Sequence, residues 1–177
     1  MFVISPSMSI VSAAHPQEST TMEHEAFMRE AINLSERVLR EGAGGPFGCV
    51  IVRNGTVVGR GSNKVTVDCD PTAHAEVVAI RDACANLKTF HLQDCVLYTS
   101  CEPCPMCLSA VYWARIPTVY YGNNRRDAAD IGFDDDFLYQ QVPLAPEHRT
   151  LTMIPLLRGE ALVAFQGWAN LAEKIDY

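Results

Sequence analysis

The sequence predicts an α/β protein, a three-layer α/β/α sandwich in which a mixed five-stranded sheet carries helices on both faces. Three observations lead there. Two strand-like runs, Phe47–Arg53 and Thr56–Gly61, flank Asn54-Gly55, the preferred two-residue hairpin turn. Later strand-like runs alternate with stretches of helical periodicity, the pattern of a sheet covered by crossover helices. Finally, 177 residues with 48% apolar and 20% charged side chains suit one globular domain with a sizeable core.

Residues 1–20 are rich in Ser and Pro, lack periodicity and read as a flexible tail, with Met8 and Met22 as alternative starts. Thr20 and Glu23 have the spacing of a capping box, and Phe27, Ala31, Leu34 and Val38 mark an amphipathic helix that stops at Gly42. Gly44-Gly45-Pro46 turns the chain into the hairpin. Asp70-Pro71-Thr72 marks the start of a second helix, with Val77, Ile80, Cys84 and Leu87 as its buried face. A third strand over Cys95–Thr99 leads into a helix from about Pro103 to Arg115, then a fourth strand over Thr118–Gly122. A short helix over Asp134–Gln141, a fifth strand over Thr150–Ile154 and a last helix from about Glu160 to Lys174 complete a single domain over residues 21–177. That last helix places Leu162, Phe165, Trp168 or Ala169, and Ala172 on one face.

Charge and cysteine usage narrow the function. With 14 basic and 21 acidic residues the net charge is −7, which argues against a nucleic-acid partner, since neutralising phosphates supplies most of such affinity. Residues 1–20 contain no Lys or Arg, unlike a secretory leader, and no run reaches the roughly 18 apolar residues of a membrane span. The seven cysteines are not spaced as a disulfide framework. A reducing, cytoplasmic compartment is expected, in which clustered cysteines bind metal or catalyse more often than they cross-link.

The cluster in question is His74-Ala75-Glu76 at the start of the second helix and Pro103-Cys104-Pro105-Met106-Cys107 at the start of the third. Residues three apart on a helix share a face, so the Cys104 and Cys107 thiols can converge on one ion. Helix N-termini also favour thiolates over thiols. With His74 these make three ligands for one zinc per chain, and a three-ligand site leaves the fourth place to water, as catalytic zinc sites do. Glu76 suits the role of proton shuttle, and H-x-E followed by P-C-x-x-C is the signature of zinc deaminases. Each of these residues alone reads more simply as core, and Cys101 forms a second C-x-x-C with Cys104. Because Cys101 falls at a strand end, it is expected to be structural; a four-ligand structural zinc site including it is the competing reading. Cys49, Cys69, Cys84 and Cys95 are expected in the core or incidental.

The runs Pro71-Thr72-Ala73-His74-Ala75-Glu76 and Thr99–Cys107 (TSCEPCPMC) resemble the cytidine deaminase superfamily, in particular its branch of guanine deaminases and tRNA adenosine deaminases. The resemblance covers about residues 22–177. The stretches Tyr112–Arg115 (YWAR) and Asp127–Asp135 (DAADIGFDD), with a terminal helix ending at Tyr177, are most similar to bacterial guanine deaminases. That resemblance implies a cytidine deaminase-like fold and zinc-dependent hydrolysis of guanine, a small-molecule purine base, to xanthine and ammonia. It implies that Phe47 stacks on the purine, Asn63 and the backbone at Ala75 bond its polar atoms, Trp113 walls the pocket, and Asp135 is a second acid near the leaving amine. It also implies a homodimer that exchanges the C-terminal segment, about residues 160–177, with Tyr177 capping the partner's site. From residue type alone Phe47 and Trp113 read as core, Asn63 as a turn residue, and Asp134–Asp136 as a solvated run in which the inward-facing member is open. The rival substrates are a tRNA adenosine, guanosine, cytosine or an s-triazine.

Overall fold

The computed structural model describes residues 21–133 and 135–175. The expected tail at residues 1–20, the cap Thr20, Asp134 and Tyr177 therefore lie outside the described residues.

Helix α1 (Thr21–Glu41) buries Ala31, Leu34 and Val38, as their spacing predicts. It ends in a Schellman-type turn: Gly42 takes φ 62°, Gly42 N–H bonds Leu39 C=O, and Ala43 N–H bonds Val38 C=O. Strands β1 (Gly48–Arg53) and β2 (Thr56–Ser62) form the expected antiparallel hairpin, with Asn54 at φ 50° and Gly55 at φ 73°, both left-handed. A one-turn helix, α2 (Val65–Asp68), follows, then α3 (Ala75–Leu87), β3 (Cys95–Cys101), α4 (Pro105–Trp113) and β4 (Thr118–Asn123). Beyond them lie α5 (Arg125–Asp130), α6 (Asp135–Gln141), a 3₁₀ turn at Pro146–His148 and α7 (Arg158–Ala169).

The sheet runs β2-β1-β3-β4, with β1 antiparallel to both neighbours and β3 parallel to β4. Alternation along β1 divides the core. Val50 and Val52, with Tyr98, face α1, whereas Cys49 and Ile51, with Leu97, face α3 and α4. The sandwich is as predicted, but among the described residues the sheet has four strands and not five.

Thr150–Ile154 is not a strand. Gln141 accepts from the backbone N–H and hydroxyl of Thr150, and Arg149 donates back to Leu144 C=O and Val142 C=O, so the segment is tied to α6. β-Propensity makes no strand without a ladder to join, and Pro155 removes a further donor.

Two more expectations are corrected. α3 starts at Ala75 rather than at Asp70-Pro71-Thr72, because Asp70 Oδ1 accepts from both the backbone N–H and hydroxyl of Thr72 and closes a separate turn. Its fully buried face is Ala75, Glu76, Ala79 and Ala83, while Ile80, Cys84 and Leu87 only flank the core. The reason is close approach to β2. A Cβ on Gly61 would lie 2.0 Å from Ala75 O, and one on Gly59 would lie 2.5 Å from Ala79 O, so only small residues fit between helix and strand. The terminal helix is also shorter than predicted and buries no residue in this chain.

Candidate active site

α3 follows the edge strand β2 and α4 the inner strand β3; both pack on one face of the sheet, and their N-termini meet. His74 is the N-cap of α3 and Cys104 the N-cap of α4, both with extended backbone (ψ 156° and 168°) and neither bonding its own helix through its side chain. Pro105 occupies the first position of α4, where its missing N–H costs nothing. Cys107 lies one turn further on and is fully buried.

These three side chains bring one ligand atom each within 4.8 Å of one another, and His74 Nδ1 stands 3.6 Å from Cys104 Sγ. A tetrahedral zinc with bonds of about 2.0–2.3 Å needs ligand atoms roughly 3.5 Å apart, so the donor set and spacing fit the ion. The hydrogen bond from Cys107, then that from His74, lowers the Cys104 thiol to about 4 against the cost of burial. Cys107 is raised in turn, first by donating to Cys104 and then by burial. The His74 imidazole is raised by its bond to Cys104. Cys101 is buried but stands outside this cluster, its Sγ directed at Asn124 C=O at 3.8 Å, which fits the expected structural role.

Glu76 is only 6% exposed. Burial raises its pKa, and the Thr99 hydroxyl donates to its Oε1 at 3.1 Å. A buried carboxyl beside a metal-type cluster, oriented by a fixed donor, is the arrangement of a proton carrier. Thr99 was not singled out from the sequence, although period-2 alternation in β3 places it on the same face as Leu97.

The other predicted residues divide. Asn63 is buried, and its Oδ1 accepts from Gly45 N–H and Val65 N–H at 3.3 Å each, which leaves the amide NH₂ to donate elsewhere. Ala75 is fully buried at the start of α3. Phe47 flanks the core beside α3 and meets Phe133 edge to face, ring centroids 4.8 Å apart. Asp135, partly buried at the start of α6, contributes negative charge that raises both His74 and Cys101, so it stands near the cluster. Asp136 instead accepts from Gln140. Trp113 is 63% exposed and lines a groove of about 750 Å³ with Ile80, Cys84, Phe90 and Trp168.

Residues 21–123, which carry all of the metal-type cluster and Glu76, match the family model of the cytidine and deoxycytidylate deaminase zinc-binding region. The chain belongs to this deaminase family. Its relatives include guanine deaminase of Bacillus subtilis, 49% identical over 88% of this chain and 100% of that one. The crystal structure of the Bacillus subtilis enzyme superposes with a TM-score of 0.84 over 87% of this chain and 98% of that chain. A tRNA-specific adenosine deaminase of Streptococcus pyogenes is 39% identical over 67% of this chain and 66% of its own length. The family's zinc-binding region implies zinc here, and His74, Cys104 and Cys107 are the residues of this deaminase that fit it.

Proposed function

We propose that this deaminase converts guanine and water to xanthine and ammonia, with one zinc per chain held by His74, Cys104 and Cys107. The observation that carries the reading is the buried Glu76, oriented by Thr99 beside that cluster, in a chain 49% identical to a guanine deaminase along that enzyme's whole length.

Zinc at this position supplies Lewis-acid activation of water, lowering its pKa from about 16 to about 7. Glu76 accepts the proton that the water releases as its oxygen bonds to C2 of guanine, and delivers it to ring nitrogen N3. When the C2–N bond breaks, Glu76 takes the proton of the new C2 hydroxyl and, with Asp135, passes it to the departing amine, which leaves as ammonia while C2 becomes a carbonyl. Phe47, supported by Phe133, stacks on the purine, while the Asn63 amide and the Ala75 backbone bond its polar atoms.

The protein works as a homodimer in which residues of about 160–177 pass to the other protomer and Tyr177 caps the partner's site. Supporting this, Val163 is 66% and Phe165 75% exposed on α7, an apolar surface that the described residues of its own chain leave uncovered. The compartment is the cytoplasm, which keeps Cys104 and Cys107 available as thiol ligands; no described helix is long and apolar enough to cross a membrane.

Ammonia release is to be measured across guanine, guanosine, adenine, cytosine, cytidine, ammeline and a tRNA anticodon stem-loop. Guanine is expected to be the preferred substrate by at least about tenfold. Release confined to the stem-loop would overturn the reading in favour of the tRNA-directed relatives.

A further inference from the structure

α6 is a seven-residue helix that buries no residue, so the core does not set its position. It nevertheless carries Asp135 at its first position. Asp135 and Tyr139 are four residues apart and share a helix face. The Tyr139 hydroxyl donates to Pro103 C=O at 2.8 Å, the carbonyl immediately before the ligand Cys104. The Arg125 guanidinium lies over the Tyr139 ring, 5.0 Å from its centroid. The Arg125 backbone N–H donates to the Glu102 carboxylate at 3.0 Å. Glu102 N–H in turn bonds Asn123 C=O at 2.8 Å. Residues 102–103, Arg125 and Tyr139 therefore form a closed clasp joining the segment ahead of α4 to α5 and α6.

We propose that Tyr139 is a positioning residue for the reaction: its hydroxyl fixes α6 to the Pro103-Cys104 segment and so sets where the Asp135 carboxylate stands relative to the cluster of His74, Cys104 and Cys107. The proposal rests on Asp135 taking part in proton transfer, as assigned above. A neutral hydrogen bond to a buried carbonyl contributes only modestly to stability. Here it has leverage, because a small rotation of a helix so short displaces the carboxylate at its end.

The test is a double-mutant cycle on the zinc-loaded enzyme with Tyr139→Phe, Asp135→Asn and the pair. Tyr139→Phe keeps the ring under Arg125 and removes only the hydroxyl. It is expected to lower kcat about five- to tenfold with KM changed less than twofold, and to release zinc to a chelator at the wild-type rate. In the Asp135→Asn background the same change is expected to cost less than twofold, because nothing remains to be aimed. Equal losses in both backgrounds would overturn the proposal and leave the role of Asp135 intact. An unchanged kcat in Tyr139→Phe, or zinc release accelerated in step with the kcat loss, would also overturn it. Full kcat in Asp135→Asn would remove Asp135 from the chemistry, and the positioning role with it.

Discussion

Residues 21–123 and residues 124–175 are built on different principles. The first region closes on itself: two layers of helix cover both faces of the sheet, and the metal-type cluster sits where the N-termini of α3 and α4 converge. In the second region Ala128 is the one buried residue among those described, and the helices are held by hydrogen bonds such as Tyr139 to Pro103 and Arg149 to Leu144 C=O. The family model reaches residue 123 and stops there. The difference teaches how labour is divided. The metal-type cluster and the buried carboxyl of Glu76 stand in a packed core, which holds them rigidly. The second region instead leaves large apolar side chains such as Ile154, Leu156 and Phe165 exposed.

The comparison can be broken from either side. The largest effect is expected in the first region, from Glu76→Gln. It should retain zinc by elemental analysis and lose about 10³-fold or more in kcat, since general acid–base help is typically worth about 10²–10⁴ and this carboxyl serves more than one transfer. Substantial residual turnover would remove Glu76 as the shuttle. Next is deletion of 168–177, expected to lower activity about 10²-fold or more through water entering an uncovered site, while zinc content stays at the wild-type level. A truncated protein of full activity would show that the terminal segment does not close the site.

Glycine substitutions then test the packing difference with the same added methyl group. Gly61→Ala brings a Cβ to within 2.0 Å of Ala75 O, so a loss of about 1–3 kcal/mol in a denaturant melt is expected, with α3 and Glu76 displaced. Gly167→Ala, inside α7, meets nothing within 4 Å in this chain and should stabilise the helix by about 0.5–1 kcal/mol, read from the same melt. If Gly167→Ala instead destabilises and shifts sedimentation toward monomer, that face of α7 lies inside a protomer contact, which sharpens the comparison.

How far the sequence could be read follows the same division. The hairpin at Asn54-Gly55, the four strands of the sheet and the helices bearing His74 and Cys104 were legible because local chemistry decides them: turn residues with left-handed backbone, alternation, and Pro at the first turn of a helix. Thr150–Ile154 was misread because its β-branched and apolar residues score as strand, whereas a strand exists only where a ladder receives it. The buried face of α3 was misread because large residues signal burial more strongly than alanines. Here Gly59 and Gly61 bring the strand so close that alanine is what fits. Trp113, legible as apolar, shares a groove with Trp168, a neighbour that only the tertiary structure supplies.

By itself the sequence determined the fold class, the three metal-type ligands and the carboxyl beside them, because spacing on a helix is a local property that chemistry reads directly. Only the tertiary structure decided that Thr99 holds Glu76, that Asn63 spends its carbonyl on Gly45 and Val65, and that Tyr139 reaches Pro103. Those bonds join residues that folding alone makes neighbours, and Tyr139 and Pro103, 36 positions apart, carry no local mark of each other.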